Sequence, residues 1–167
     1  MRLIFYGVRG SIPTPGAAFV RYGGNTACVH IELEDGTDIV LDSGTGIRLL
    51  GEHLAKKNTP IHLLLSHNHW DHIQGFPFFP PIYQAEREIN IYPGQTLFEE
   101  PDQILKQMEG SLFPVPRSAL RANISLIEIP KADNTFAIGS AKITRLAMNH
   151  PGSGSAYCIN ADGVKVT

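Results

Sequence analysis

Within six residues the chain sets four side chains able to ligate a metal: His67, His69, Asp71 and His72. Imidazole nitrogens and carboxylate oxygens suit Zn²⁺ and related first-row ions. In extended backbone, residues two apart point the same way, so His67 and His69 are expected to reach one ion. The turn that follows is expected to aim Asp71 and His72 at a second. Two ions about 3.5–4 Å apart activate a bridging water and polarise a phosphoryl or carbonyl oxygen. The competing reading is a surface loop with chance histidines. Four potential ligands in six residues, directly after an apolar run, argue against it.

That apolar run, Ile61 to Leu65, reads as a strand buried on both faces. A loop at its end is a natural seat for chemistry. Upstream, Leu3 to Tyr6 reads as a strand ending at Gly7, followed by a loop rich in Gly and Pro. Ala27 to Leu33 reads as a second strand with Val29, Ile31 and Leu33 on one face. Glu34-Asp35-Gly36-Thr37 is a hairpin turn, because Asp-Gly suits positive φ angles. Asp38 to Leu41 returns as a third strand, and Asp42-Ser43-Gly44-Thr45-Gly46 leads into a helix expected over Ile47 to Lys57. Leu49, Leu50 and Leu54 mark that helix, with lysines where its dipole favours cations. Prolines keep Gly75 to Pro81 out of regular helix. Further expectations are a strand at Glu88 to Tyr92, a helix over Thr96 to Met108 and an irregular loop at Phe113 to Arg117. Strands are expected at Ile124 to Ile129, Ala141 to Met148 and Ala156 to Asn160, with another beginning at Val164.

At 167 residues, with 43% hydrophobic content and 18% charge, the chain has the composition of one folded domain rather than a disordered segment. A net charge of -2 gives no electrostatic reason to expect nucleic acid or an anionic membrane as partner. Binding of a phosphorylated substrate must then come from local groups or metal. Cys28 and Cys158 are too few for a disulfide framework and read as small buried side chains. No signal or membrane-spanning segment is visible, so a cytoplasmic location is expected. No repeat or linker divides residues 1–167, which read as a single domain.

The run His-x-His-x-Asp-His after an apolar strand resembles the signature of the metallo-β-lactamase superfamily. The early Gly-rich loop, Asp42 to Gly46 after the third strand, and His150 closing a later strand fit the same resemblance. Gly7-Val8-Arg9-Gly10-Ser11, Tyr22-Gly23-Gly24-Asn25-Thr26 and His72-Ile73-Gln74-Gly75 look like its phosphodiesterase branch, which includes ribonuclease Z and the phosphodiesterase of phosphonate breakdown. The resemblance implies an α/β fold, the αββα sandwich. It implies two divalent ions, Zn²⁺ first, with Mn²⁺ or Fe as alternatives. His67, His69 and His150 would hold one ion, while Asp71 and His72 contribute to the other. Asp42 would hold a ligand histidine by its other ring nitrogen; the alternative is a plain turn carboxylate at a helix start. The family also uses a bridging Asp and a final His that this sequence does not supply. The chain is therefore expected to hold roughly the first half to two-thirds of the sandwich, to leave apolar faces uncovered and to be poorly active alone.

Asn25 and Phe76 are the candidate substrate contacts. Phe76, Phe78, Phe79, Tyr83 and Trp70 either line a pocket beside the metals or form core or an oligomer contact, and a homodimer stays open. Arg9 reads as a structural loop residue. Gly152-Ser153-Gly154-Ser155 is either an anion-binding nest or a flexible turn. His30, His53 and His62 read as ordinary structural or solvated histidines. The expected activity is hydrolysis of a small or cyclic phosphodiester by a metal-activated hydroxide, with Asp71 orienting water or relaying a proton. Long RNA is disfavoured because no basic patch is visible. The alternatives are a metallohydrolase of carboxylic esters, lactones or thioesters, and a metal-binding regulatory or interaction domain without catalysis.

Overall fold

The computed structural model describes residues 1–94, 100–111, 113–129 and 134–167. Six strands form one sheet in sequential order: β1 (Arg2–Gly7), β2 (Cys28–Glu32), β3 (Asp38–Leu41), β4 (Ile61–Leu64), β5 (Glu88–Tyr92) and β6 (Asn123–Leu126). The β1–β2 and β2–β3 pairs are antiparallel, the latter closed by the tight turn in which Gly36 takes φ +86°. From β3 to β6 the pairs are parallel. Parallel neighbours need crossovers, and these carry α1 (Ile47–Leu54), α2 (Trp70–Ile73) and α3 (Gln103–Lys106). A second, antiparallel sheet runs β10-β9-β8-β7, from β7 (Thr135–Ile138), β8 (Ala141–Ala147), β9 (Ser155–Ala161) and β10 (Val164–Val166).

Two cores follow from the alternation of each strand. Val40, Leu63, Ile89 and Ile91 face the helices and pack with Leu50, Leu54, Phe76 and Phe79. Ile31, Ile39 and Leu64 face the second sheet and meet Ile143, Tyr157 and Ile159. The result is a helix–sheet–sheet stack. On the outward face of the second sheet Lys142, Leu146 and Asn160 are exposed. No helix among the described residues is long and apolar enough to cross a membrane. Both cysteines are free; Cys28 is buried, which pushes its thiol pKa up, and Cys158 is half-buried.

Several expectations need correction. The first helix ends at Leu54, three residues before Lys57, because the last turn tightens into i→i−3 bonds (Lys56 N–H to His53 O, Lys57 N–H to Leu54 O). The buried Arg87 guanidinium then takes the carbonyls of Leu54 and Lys57. The helix buries Ile47, Leu50, Gly51 and Leu54, while Leu49 is exposed. The helix expected over 96–108 spans only Gln103–Lys106 where described, after Pro101; residues 95–99 lie outside the described part. The strand expected over 124–129 ends at Leu126, and β7 was not anticipated. Phe76, a candidate substrate contact, is completely buried in the helix-side core and belongs to packing. Phe79 is buried with it, whereas Trp70 and Phe78 are exposed.

Candidate metal centre

β3 and β4 run parallel, so their C-terminal ends emerge side by side. At the first of these ends Asp42 adopts φ +60°, a left-handed conformation that Asp tolerates better than most residues. Its N–H extends the ladder to Leu64 O, and its carboxylate turns toward the end of β4. There the Ser66 N–H donates to Asp42 Oδ1 at 2.7 Å, and the Ser66 hydroxyl lies 2.8 Å from Oδ2. The chain bends at Ser66 and reaches His69 (φ −59°, ψ 146°), where α2 begins and carries Asp71 and His72.

The second sheet delivers His150. After β8 the chain turns through residues 148–154, closed by Met148 N–H to Gly154 O and Ser153 N–H to His150 O. Two bonds fasten the next strand to the end of β4. Ser155 N–H donates to Ser66 O at 2.7 Å, and the Tyr157 hydroxyl donates to Leu65 O at 2.9 Å.

These elements bring His67, His69 and His150 together, with one ligand nitrogen from each lying within 4.8 Å of the others. His67 Nε2 is 3.0 Å from His69 Nδ1, and His150 Nε2 is 3.2 Å from the same atom. Zn–N bonds of 2.0–2.1 Å in a tetrahedron put neighbouring ligand atoms about 3.3 Å apart. The spacing therefore fits one small divalent ion bound by three imidazoles. Ligation needs neutral imidazole, and burial followed by the neighbouring His72 pushes the His67 pKa down to about 4.

His72 packs against His67 with ring centroids 4.2 Å apart but is held differently. Its Nδ1–H donates to Asp42 Oδ2 at 2.7 Å, so Nε2 is free to face Asp71 Oδ2 at 3.5 Å. Burial acts to lower the His72 pKa, yet the Asp42 bond and charge outweigh it and raise it. Asp42 does not cap α1, whose N-cap is Gly46. Its carboxylate serves the histidines. Asp71 Oδ2 also accepts the Ser11 N–H at 2.7 Å, from a loop residue at φ +69°. Among the described residues His67, His69 and His150 form the only group of three metal-ligating side chains; Asp71 and His72 stand beside it as a pair.

Other predicted positions fall outside this cluster. The Asn25 side chain accepts from the Thr45 hydroxyl, and its carbonyl takes the N–H groups of Val8 and Arg9. Arg9 donates to Ile12 O and stacks over Phe19, a loop-building role. In the Gly152 to Ser155 turn, the N–H groups of Ser153 and Ser155 are already engaged by protein carbonyls. His30 bonds the buried Asp38, and His62 Nδ1 lies 3.2 Å from the Tyr92 hydroxyl. Two participants escape a reading of the sequence. Ser66 touches Asp42, His67 and His72 through one hydroxyl, and Ser11 reaches Asp71 through its main chain. The only signal for Ser66 is its place next to His67.

A family model described as the metallo-beta-lactamase superfamily matches residues 21–164. No curated protein matches the sequence. Among solved structures, the fold is similar to the metallo-beta-lactamase fold protein YhfI from Bacillus subtilis, with TM-score 0.68 and 18% identity over 98% of this chain and 58% of that one. The short form of human tRNase Z gives TM-score 0.60 and 18% identity over 98% of this chain and 66% of that one. A diphosphatase from the PhnP family gives TM-score 0.64 and 16% identity over 95% of this chain and 61% of that one. At these identities the likeness speaks for the fold alone. This chain spans under two-thirds of the length of each.

Proposed function

This chain belongs to the metallo-β-lactamase superfamily, and from that premise we propose a metal-dependent phosphodiesterase acting on a small or cyclic phosphodiester. The observation that carries the proposal is the convergence of His67 Nε2 and His150 Nε2 on His69 Nδ1, each near the edge length of a zinc tetrahedron, beside the pair Asp71 and His72. In this reading the three histidines hold one divalent ion, and Asp71 with His72 contributes to a second. Zn²⁺ is the first choice because the donors are mostly imidazole. Bound there, such ions supply a Lewis acid that acidifies water and draws charge from a phosphoryl oxygen. Asp71, fixed through Oδ2 by the Ser11 N–H, has Oδ1 left to orient the attacking water or take its proton. Asp42 keeps His72 in the tautomer whose lone pair sits on Nε2.

A phosphodiester is preferred over a carboxylic ester for a local reason. The loop that supplies Ser11 also carries Arg21 beside Tyr22 along a groove that Arg9 and Phe19 help to build, a cationic and aromatic edge suited to an anion bearing a ring. The names of two structures of the same fold, a tRNase and a diphosphatase, lean the same way. The test is a substrate panel on the Zn²⁺- and Mn²⁺-loaded protein: bis-p-nitrophenyl phosphate, cyclic nucleotides and p-nitrophenyl carboxylic esters. Slow turnover of a phosphodiester is expected, since the bridging Asp and final His of the family are not among these residues. Hydrolysis of the esters alone would overturn the assignment.

A further inference from the structure

We propose that the Ser66 hydroxyl is a positioning group that links His67 to the Asp42 carboxylate, so that one carboxylate orients a histidine of each metal subsite. This rests on the metal-centre reading above. Ser66 Oγ has four polar neighbours: Asp42 Oδ2 at 2.8 Å, His67 Nδ1 at 2.9 Å, Asp42 Oδ1 at 3.0 Å and His72 Nδ1 at 3.3 Å. A hydroxyl has one proton to give and two lone pairs to receive with. The Asp42 carboxylate only accepts, so the hydroxyl proton goes to it. His72 Nδ1 lies closer to Asp42 Oδ2, at 2.7 Å, and gives its proton there. The lone pair of Oγ is then aimed at His67 Nδ1, which must be the donor.

The tautomer of His67 follows. With its proton on Nδ1, the lone pair lies on Nε2, the atom that meets His69 Nδ1 at 3.0 Å. His72 is set in the same way, directly by Asp42, with its own Nε2 free. The two rings lie 4.2 Å apart and answer to one carboxylate, one through a hydroxyl and one without. With its proton engaged by Asp42 and its lone pair by His67, the Ser66 hydroxyl acts through His67 rather than as a nucleophile. The arrangement also isolates the hydroxyl experimentally. Ser66 N–H independently holds Asp42 Oδ1 at 2.7 Å, and Ser155 N–H holds Ser66 O, so removing Oγ leaves the backbone frame in place.

The experiment is Zn²⁺ titration against a chromophoric chelator for the unaltered protein, Ser66→Ala and Ser66→Thr. Each is checked for fold by circular dichroism, and long-range ¹H–¹⁵N spectra of the metal-free proteins read the His67 tautomer. Ser66→Ala is expected to weaken Zn²⁺ binding by roughly 10–100-fold and to shift His67 away from the Nδ1–H form, while Ser66→Thr stays within about threefold of the unaltered protein. If the unaltered protein binds no Zn²⁺, the metal-centre reading fails and takes this one with it. If it binds Zn²⁺ and folded Ser66→Ala binds equally well with the same tautomer, the role of Ser66 is refuted while the metal centre stands. A folded Ser66→Thr that is as weak as Ser66→Ala likewise refutes it, because the hydroxyl would not be what matters.

Discussion

Gly44→Ala tests whether the turn after β3 sets the position of the Asp71–His72 element. A Cβ on Gly44 would lie 2.3 Å from Asp71 O, 2.4 Å from Thr26 Oγ1 and 2.7 Å from Ala27 N. Two of these atoms are backbone, and the third accepts the Thr45 N–H at 2.8 Å. None is a free side-chain tip. Reaching an ordinary contact near 3.4 Å from Asp71 O means moving α2 away from the turn by about 1 Å. The two are also bonded directly, Ser43 N–H to His72 O at 2.8 Å and Gly75 N–H to Ser43 O at 2.9 Å, so the strain cannot relax quietly. Overpacking of this kind costs about 1–3 kcal/mol. At ~2–4 °C per kcal/mol for a chain of this size, the melting temperature should fall by roughly 2–12 °C. A displacement of about 1 Å at a reacting group is worth about 100-fold in rate, so phosphodiester turnover should fall by that order. Zn²⁺ at the three-histidine subsite should change less than turnover, since His67 and His150 come from the end of β4 and the β8–β9 turn, whereas any ion held by Asp71 and His72 should weaken with it. Thermal denaturation, chelator-competed Zn²⁺ titration and p-nitrophenyl phosphodiester hydrolysis read the three quantities. A variant that melts and turns over like the parent would refute the spacing argument, and loss of the Zn²⁺ held by the three histidines in step with turnover would refute the division between the two halves of the site.

Replacing His67, His69 or His150 with Ala should abolish stoichiometric Zn²⁺ binding, measured by equilibrium dialysis with metal analysis. His53→Ala should leave it intact, since that ring sits on α1 beside His30; equal losses would contradict the ligand assignment. A further prediction concerns pH. Burial acts to raise the Asp38 pKa, but hydrogen bonds from His30, Lys57 and Thr59 overcome it and hold the carboxyl well below the usual range. Because the folded value is the lower one, the stabilisation is complete above the unfolded value of about 3.9 and fades as pH falls below it. Melting temperature should therefore drop on acidification from pH 5 to pH 3. Asp38→Asn should cost about 3–5 kcal/mol at pH 7 and flatten that acid slope; a slope unchanged by the substitution would count against it.

What could be read beforehand was decided by how local each signal is. Strands β3 and β5 run over the expected residues because their hydrophobic pattern and flanking turns are contained within the segment itself. His69, Asp71 and His72 were legible for the same reason, lying two to five residues after His67 on one segment, whereas His150, 81 residues beyond His69, came only from the family resemblance. The four-residue β7 pairs with β8 across the two-residue turn Gly139-Ser140, a local hairpin signal that its short, weakly alternating run left easy to pass over. Phe76 looked like a pocket residue because it follows the ligands closely. Its burial is decided by α1, where Gly51 lets the Phe79–Pro80 segment lie against the helix: a Cβ there would sit 2.3 Å from Pro80 Cδ. Ser66 and Ser11 were missed because their partners, Asp42 and Asp71, lie 24 and 60 residues away in the chain.

The same distances explain why fold and site cannot be separated here. Asp42 and the His67 segment emerge from neighbouring strands of one sheet, while His150 comes from a hairpin of the other. The inter-sheet core alone would fix their separation only as well as apolar packing does, and side chains such as Ile143 and Ile159 can slide at little cost. Ser155 N–H on Ser66 O and the Tyr157 hydroxyl on Leu65 O are directional, and they attach the second sheet to the two residues immediately before His67. A slip of the sheets would leave these buried carbonyls unpaired, at about 1–3 kcal/mol each. Ser140 N–H on Asp35 and Glu34 N–H on Asp162 tie the sheets at the far end, and the Ser155 and Tyr157 bonds fix the register where the three histidines meet.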